Sequence, residues 1–228
     1  MLKCLLIVGS CLFLFYVLPS IVALIVTSIN KDLIKLDEFI LGLNLAVYLA
    51  SFIAIGLILW RYKHYILKSF CDWKNILIGV VAGLLIIGLS ELLGYLIFDL
   101  GGVPVNSNQV TVESTVKNAP VLSFFVVVLF GPIFEEFVYR VGLMGIGIKF
   151  SEKYGKGFAY LISIVIFILI HLSLFGENIN YISEIAAIPQ YFVGAFFLCL
   201  AYEKGGLSSS IIAHILNNLF GFIMVMVM

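Results

Sequence analysis

Charge is what this 228-residue chain has least of. Asp, Glu, Lys and Arg supply 11% of it, against roughly 25% in soluble domains, and 63% is hydrophobic against roughly 45–50%. That balance excludes an ordinary soluble domain and indicates an integral membrane protein. The formal net charge is zero, so no basic face suggests nucleic acid and no charge run suggests a solvated tail. The four cysteines, Cys4, Cys11, Cys71 and Cys199, sit in or beside apolar stretches without CxxC spacing. Neither a zinc ribbon nor a redox pair is indicated; they read as small buried hydrophobes. HExxH is missing, as are internal repeats and low-complexity linkers.

What the chain does have is long apolar runs, several beyond the roughly 18–20 residues a spanning helix needs. They are expected over Leu5 to Ile29, Phe39 to Trp60, Asn75 to Phe98, Val121 to Phe150, Phe158 to Phe175, Ile185 to Tyr202, and Ser209 to the C-terminus. The first follows Lys3, but its apolar part is too long for a signal peptide and no small-residue cleavage pattern precedes Asn30, so it reads as retained. The polar stretch Gly101 to Ala119, closed by Pro120, reads as the longest loop. The expected fold is all-α, a polytopic membrane bundle of about seven transmembrane helices. Residues 1–119 would hold the first three helices and an external loop, and residues 120–228 the helices that carry the chemistry.

Charge placement orients the bundle. With the N-terminus cytoplasmic, Lys3, Arg61, Lys63, Lys68, Lys74, Lys149, Lys153, Lys156 and Lys204 lie inside, and only Lys31, Lys35 and Lys117 outside. Glycines at 142, 145 and 147 suit close helix packing.

One stretch breaks the apolar pattern. Gly131 to Arg140 reads GPIFEEFVYR and places Glu135, Glu136 and Arg140 inside the fourth run. Each ionisable side chain at mid-bilayer costs about 2.5–3.5 kcal/mol on insertion scales, so three together need a reason. Glu136 and Arg140 are four residues apart, on one helix face, and suit an ion pair. Glu135 lies about 100° further round, without a local partner, and is the candidate proton acceptor. Pro132 after Gly131 should kink or restart the helix one turn before it.

Of the three histidines, His64 sits in the basic Arg61 to Lys74 loop, whereas His171 and His214 lie inside apolar runs. Either alone is as often a structural hydrogen-bonding residue; two with a mid-membrane carboxylate indicate a site. At about 1.5 Å per residue from the cytoplasmic end, Glu135 and His171 both fall at roughly 21 Å, Asn218 at roughly 19 Å, and His214 and Arg140 at roughly 13 Å. Tilt and side-chain reach blur these depths enough for one shared chamber. His214 and Asn218 share a helix face, as two donors to an oxyanion would, and Phe167 can wall the His171 ring. Asn217 should point elsewhere, and Glu91, near the outer end of its run, reads as structural or interfacial.

Taken in order, EExxxR (Glu135, Glu136, Arg140), FxxxH (Phe167, His171) and HxxxN (His214, Asn218) resemble the signature of the CAAX protease and bacteriocin-processing family. This is also called the Abi or type II CAAX prenyl endopeptidase family. The resemblance covers roughly Pro120 to Gly221. It implies an intramembrane glutamic endopeptidase in which Glu135 and His171 activate a water. His214 and Asn218 would hold the oxyanion, and Glu136 with Arg140 would brace the helix. It implies no metal cofactor, a peptide or membrane-protein substrate, and a multi-pass place in a bacterial plasma membrane, in peptide maturation or in bacteriocin processing or immunity. Two other readings stay open. Glu135, His171 and His214 are a legitimate zinc set with water as fourth ligand, and a non-enzymatic bacteriocin self-immunity protein would carry polar membrane residues too.

Overall fold

The computed structural model describes residues 1–29, 37–150, 154–174 and 179–228. Among these the regular structure is helix, with no strand. Among the described residues four helices are long and apolar enough to cross a membrane: Glu38–Cys71, Trp73–Leu100, Pro120–Phe150 and Tyr181–Val227; Leu2–Leu12 and Gly155–His171 are shorter apolar helices. In chain order we label residues 2–29 α1, Asp37–Leu59 α2, Lys63–Cys71 α3, Trp73–Leu100 α4, Ser107–Asn118 α5, Pro120–Phe150 α6, Gly155–His171 α7 and Tyr181–Val227 α8. Among the residues invoked above, Asn30, Lys31, Lys35, Lys153 and Phe175 lie outside the described ones.

The polar stretch read as a loop is largely helix. Asn106 caps α5 by accepting the Gln109 N–H at 3.4 Å, and the helix runs to Asn118. It is too polar for a spanning segment, yet its last turn is anchored: Val116 is fully buried, and the Ser123 hydroxyl donates to the Thr115 carbonyl at 2.9 Å. A surface helix held at its ends needs no apolar run, which is why hydropathy missed it.

α6 is the axis of the bundle, and small residues let its neighbours close on it. A methyl group on Gly142 would meet Val8 of α1 at 2.7 Å, and one on Gly147 would meet Ala159 of α7 at 2.5 Å. On another side, Tyr48 and Phe52 of α2 pack edge-on against Phe134 and Phe130, with ring centroids 5.4 and 5.7 Å apart. α6 is not a uniform α-helix: Phe124–Phe130 and Phe137–Met144 are wound in wider π turns, with Gly131–Glu136 as an α-helical turn between them. Such bulges recur at functional sites, and here they bracket the two glutamates.

α8 breaks at Gly206, whose φ of 76° lies in the left-handed region that a side chain disfavours. The two arms, residues 181–205 and 207–227, correspond to the sixth and seventh runs. Beyond the break, Ser208 and Ser209 donate to the carbonyls of Ser69 and Asn75 at 3.0 and 2.7 Å, fixing the second arm to α3 and α4. Gly79 of α4 then lets the helices touch, since a methyl group there would come within 2.7 Å of the Ser209 carbonyl. This contact sets the height of His214, one turn further along.

Candidate active site

α6 carries Glu135 and Glu136 on successive positions, so their side chains leave the helix in different directions. Glu136 faces inward and is 0% exposed, as is Arg140. Arg140 Nε lies 3.1 Å from Glu136 Oε2, and its Nη1 donates to Ser163 Oγ of α7 at 3.0 Å. The guanidinium lies 5.7 Å from the ring centroids of both Tyr139 and Phe167. A charge in so dry a place is tolerable only when paired and packed in this way.

The second Glu136 oxygen makes a contact the sequence did not announce. Oε1 is 2.9 Å from Nδ1 of His214, across from α8. A carboxylate accepts, so Nδ1 carries a hydrogen, and Nε2 faces the other side. There it meets Glu135, with Oε2 at 3.8 Å. His171 repeats the pattern: Nδ1 donates to the Phe167 carbonyl at 2.7 Å, which leaves Nε2 facing the same Glu135 oxygen at 4.0 Å. Two imidazole nitrogens and one carboxylate oxygen therefore converge across gaps too long for direct hydrogen bonds, a spacing that suits a small hydrogen-bonding molecule such as water between them.

Glu135, at 23% side-chain exposure, and His171, at 19%, open into a cavity of about 860 Å³ together with His214 and Asn218. Glu136 and Arg140 do not line it; they form a buried layer behind His214. The single chamber expected for Glu135, His171, His214, Asn218 and Arg140 thus resolves into four that face the cavity and Arg140, which with Glu136 holds His214 in place. Asn217, expected to point elsewhere, lines the cavity and donates to Asn218 Oδ1 at 3.3 Å; Glu91 also lines it.

Asn218 is held by its own partner. Its Nδ2 donates to the carbonyl of Val127 on α6 at 2.9 Å, leaving one of the two amide hydrogens uncommitted by that bond. The His171 ring is packed on two sides, stacked on Phe167 at 4.3 Å and tilted against Tyr191 of α8 at 5.1 Å. The Tyr191 hydroxyl accepts from the amides of Asn106 and Asn108 at 2.9 and 3.1 Å, tying the N-terminal end of α5 to the wall of the site. Glu184, fully buried, completes that tie: it accepts the backbone N–H of Ser107 at 2.8 Å and of Ser173 at 2.9 Å.

Glu184 stands in the first turn of α8, just before the sixth apolar run, where a carboxylate is ordinary at a helix start and does not stand out in the sequence. Tyr191 gave no signal. Among the described residues no group of three or more His, Cys, Asp or Glu side chains has the arrangement to hold a metal ion.

Residues 117–220 match the family model described as Type II CAAX prenyl endopeptidase Rce1-like. No curated protein and no solved structure matches the chain. The matched segment runs from the end of α5 to Phe220 and contains all seven motif residues.

Proposed function

We infer that this chain, whose residues 117–220 match the Rce1-like type II CAAX prenyl endopeptidase family model, is a membrane-embedded endopeptidase of the glutamic type. The observation that carries this reading is the convergence of His171 Nε2 and His214 Nε2 on one oxygen of Glu135 at 4.0 and 3.8 Å. A water held among these atoms gives a proton to Glu135, with His171 as its second acceptor, and attacks the scissile carbonyl. The developing oxyanion needs donors. Asn218 supplies its second amide hydrogen, and His214, oriented by Glu136 behind it, donates from Nε2 with a proton taken up from bulk water before the attack. Arg140 neutralises Glu136 and so keeps that brace in place. Glu135 then returns the proton to the leaving amine.

The substrate is a peptide or a membrane protein, and the physiological setting we propose is peptide maturation or bacteriocin processing or immunity in a bacterial plasma membrane. We place the N-terminus in the cytoplasm and the chain in seven passes, α8 counting as two. No metal enters this mechanism.

The test is cleavage of internally quenched peptide libraries by the full chain in proteoliposomes, parent against Glu135→Gln. The amide keeps shape and hydrogen bonding but takes no proton from water. Cleavage by the parent, its loss in the variant and indifference to strong chelators are expected. Inactivation by chelator with recovery on adding zinc turns the reading towards a metalloprotease. Biological function that survives Glu135→Gln leaves a binding protein.

A further inference from the structure

At the far end of α6 from the site, the start of α1, α3, the start of α7 and the break in α8 enclose a second cavity, of about 1170 Å³. Its wall is apolar, with Ile7, Ile66 and Met144 among its residues, and its rim carries Lys3, Lys149, Lys156 and Lys204. Two carboxylates reach it, and both are engaged. Glu203 accepts from Lys156 Nζ at 3.0 Å and from the Tyr160 hydroxyl at 2.7 Å, and Asp72 caps α4 by accepting the Lys74 N–H at 3.0 Å.

Lys3, Lys149 and Lys204 therefore stand around an apolar-walled space with no carboxylate within ion-pair distance among the described residues. Lys3 is steadied by Tyr62, donating to its hydroxyl at 3.1 Å. The depth of the rim is marked independently by aromatic side chains: Trp60, Tyr65 and Trp73 are exposed beside it, and Lys63 lies 3.6 Å over the Trp60 ring. Such a girdle sits at headgroup level in membrane helices. A soluble anion would satisfy the lysines and leave the wall wet, and a neutral lipid would do the reverse.

We propose that this cavity binds one anionic phospholipid, its phosphate on Lys3, Lys149 and Lys204 and an acyl chain along the Ile7, Ile66 and Met144 wall. Basic pockets between membrane helices recognise lipid phosphate through charge, each lysine near the surface contributing about fivefold in affinity. The site stands apart from Glu135 and is independent of the protease reading.

The test is native mass spectrometry of the full chain in mild detergent, titrated with dioleoyl phosphatidylglycerol or dioleoyl phosphatidylcholine. The parent is expected to retain phosphatidylglycerol in preference. The variant Lys149→Gln with Lys204→Gln should lose about 25-fold for phosphatidylglycerol and little for phosphatidylcholine. The charge-conserving pair Lys149→Arg with Lys204→Arg should keep the preference, as should Lys63→Gln with Lys68→Gln, which lie outside the lining. Equal retention of both lipids by the parent overturns the proposal whether or not any variant folds. An equal loss in the Lys63 and Lys68 pair reduces it to general surface attraction and overturns it too. Displacement of phosphatidylglycerol by millimolar inorganic phosphate assigns the cavity to a soluble anion instead.

Discussion

The side-chain amide of Asn218 donates to the backbone carbonyl of Val127 at 2.9 Å, and Val127 is the carbonyl that Pro132 leaves without a donor. Gly131, ending the first π turn of α6, gives its N–H to Val126, five residues back. The next residue in that register would serve Val127, but Pro132 has no N–H to give. A gap in the backbone ladder of one helix is filled by a side chain from another, and the filling fixes the orientation of the amide that lines the cavity. Irregular backbone at membrane depth is tolerated where it lines a cavity and finds such partners.

Pro132→Ala tests this directly. The alanine returns a donor that competes with Asn218 for the Val127 carbonyl and allows the helix to close. Thermal stability is expected to hold or rise, while peptide cleavage falls towards that of Asn218→Ala, a loss of about 10²–10³ for one oxyanion donor. Cleavage at the parental rate with unchanged stability would show that the proline does not position the amide.

The buried layer behind His214 makes a different prediction. Arg140→Ala strands Glu136 without its counter-charge in a site of 0% exposure, and breaking such a pair costs about 3–5 kcal/mol. Folding yield and cleavage should both drop. Combining Glu136→Gln with Arg140→Met removes both charges, so yield should recover. Activity should recover less, because His214 loses the carboxylate that holds its Nδ1 at 2.9 Å. Differential scanning fluorimetry beside the cleavage assay separates the two effects, and an Arg140→Ala protein as stable as the parent would refute the pair.

Glu184 joins two segments through its two oxygens, the start of α5 and the strand of chain after His171. Replacing it by alanine leaves two backbone donors to find other partners, at about 1–3 kcal/mol for each left buried and unsatisfied. Hydrogen exchange followed by mass spectrometry should show faster exchange over residues 107–118 and around Ser173. The α6 core should be unchanged. Equal protection of α5 in the two proteins would mean that its other anchors, Tyr191 and Ser123, suffice.

Local features of the site were legible because helical spacing is local. The stacking of Phe167 on His171 and the pairing of Glu136 with Arg140 both follow from a four-residue offset. The bond from His214 to Glu136 was not legible, since it joins α8 to α6 and depends on where Gly206 breaks the chain and where Gly79 lets α4 approach. Depth counting placed the residues at compatible heights but carried no information on azimuth. It could not tell a residue facing the cavity, Glu135, from its neighbour facing the core. The π turns of α6 shift azimuth further and have no compositional signature. α5 was misjudged for another reason: apolar runs find spanning helices, while a capped polar helix announces itself only through Asn106.

Charge also predicts which way the bundle stands. The rim of the second cavity gathers Lys3, Lys149, Lys156 and Lys204, and the exposed Trp60 and Trp73 lie at the same end. α5, with Lys117, lies towards the other end, over the cavity that Glu135 lines. Lysine and arginine near helix ends are retained on the cytoplasmic side, so the lysine rim is expected inside and α5 outside. Substrate would then reach Glu135 from the outer half of the membrane, past α5. Reporter fusions after Lys74, Lys156 and Lys204 should read cytoplasmic, and fusions within residues 101–119 or after Met228 external. Cysteine labelling supplies a second readout on a Cys71→Ser background: Ser114→Cys on α5 should react with an impermeant maleimide in intact cells, and Lys204→Cys should not. An external reading at Lys156 would invert the bundle. It would turn the catalytic cavity to the cytoplasm and make cytoplasmic peptides the substrates to assay.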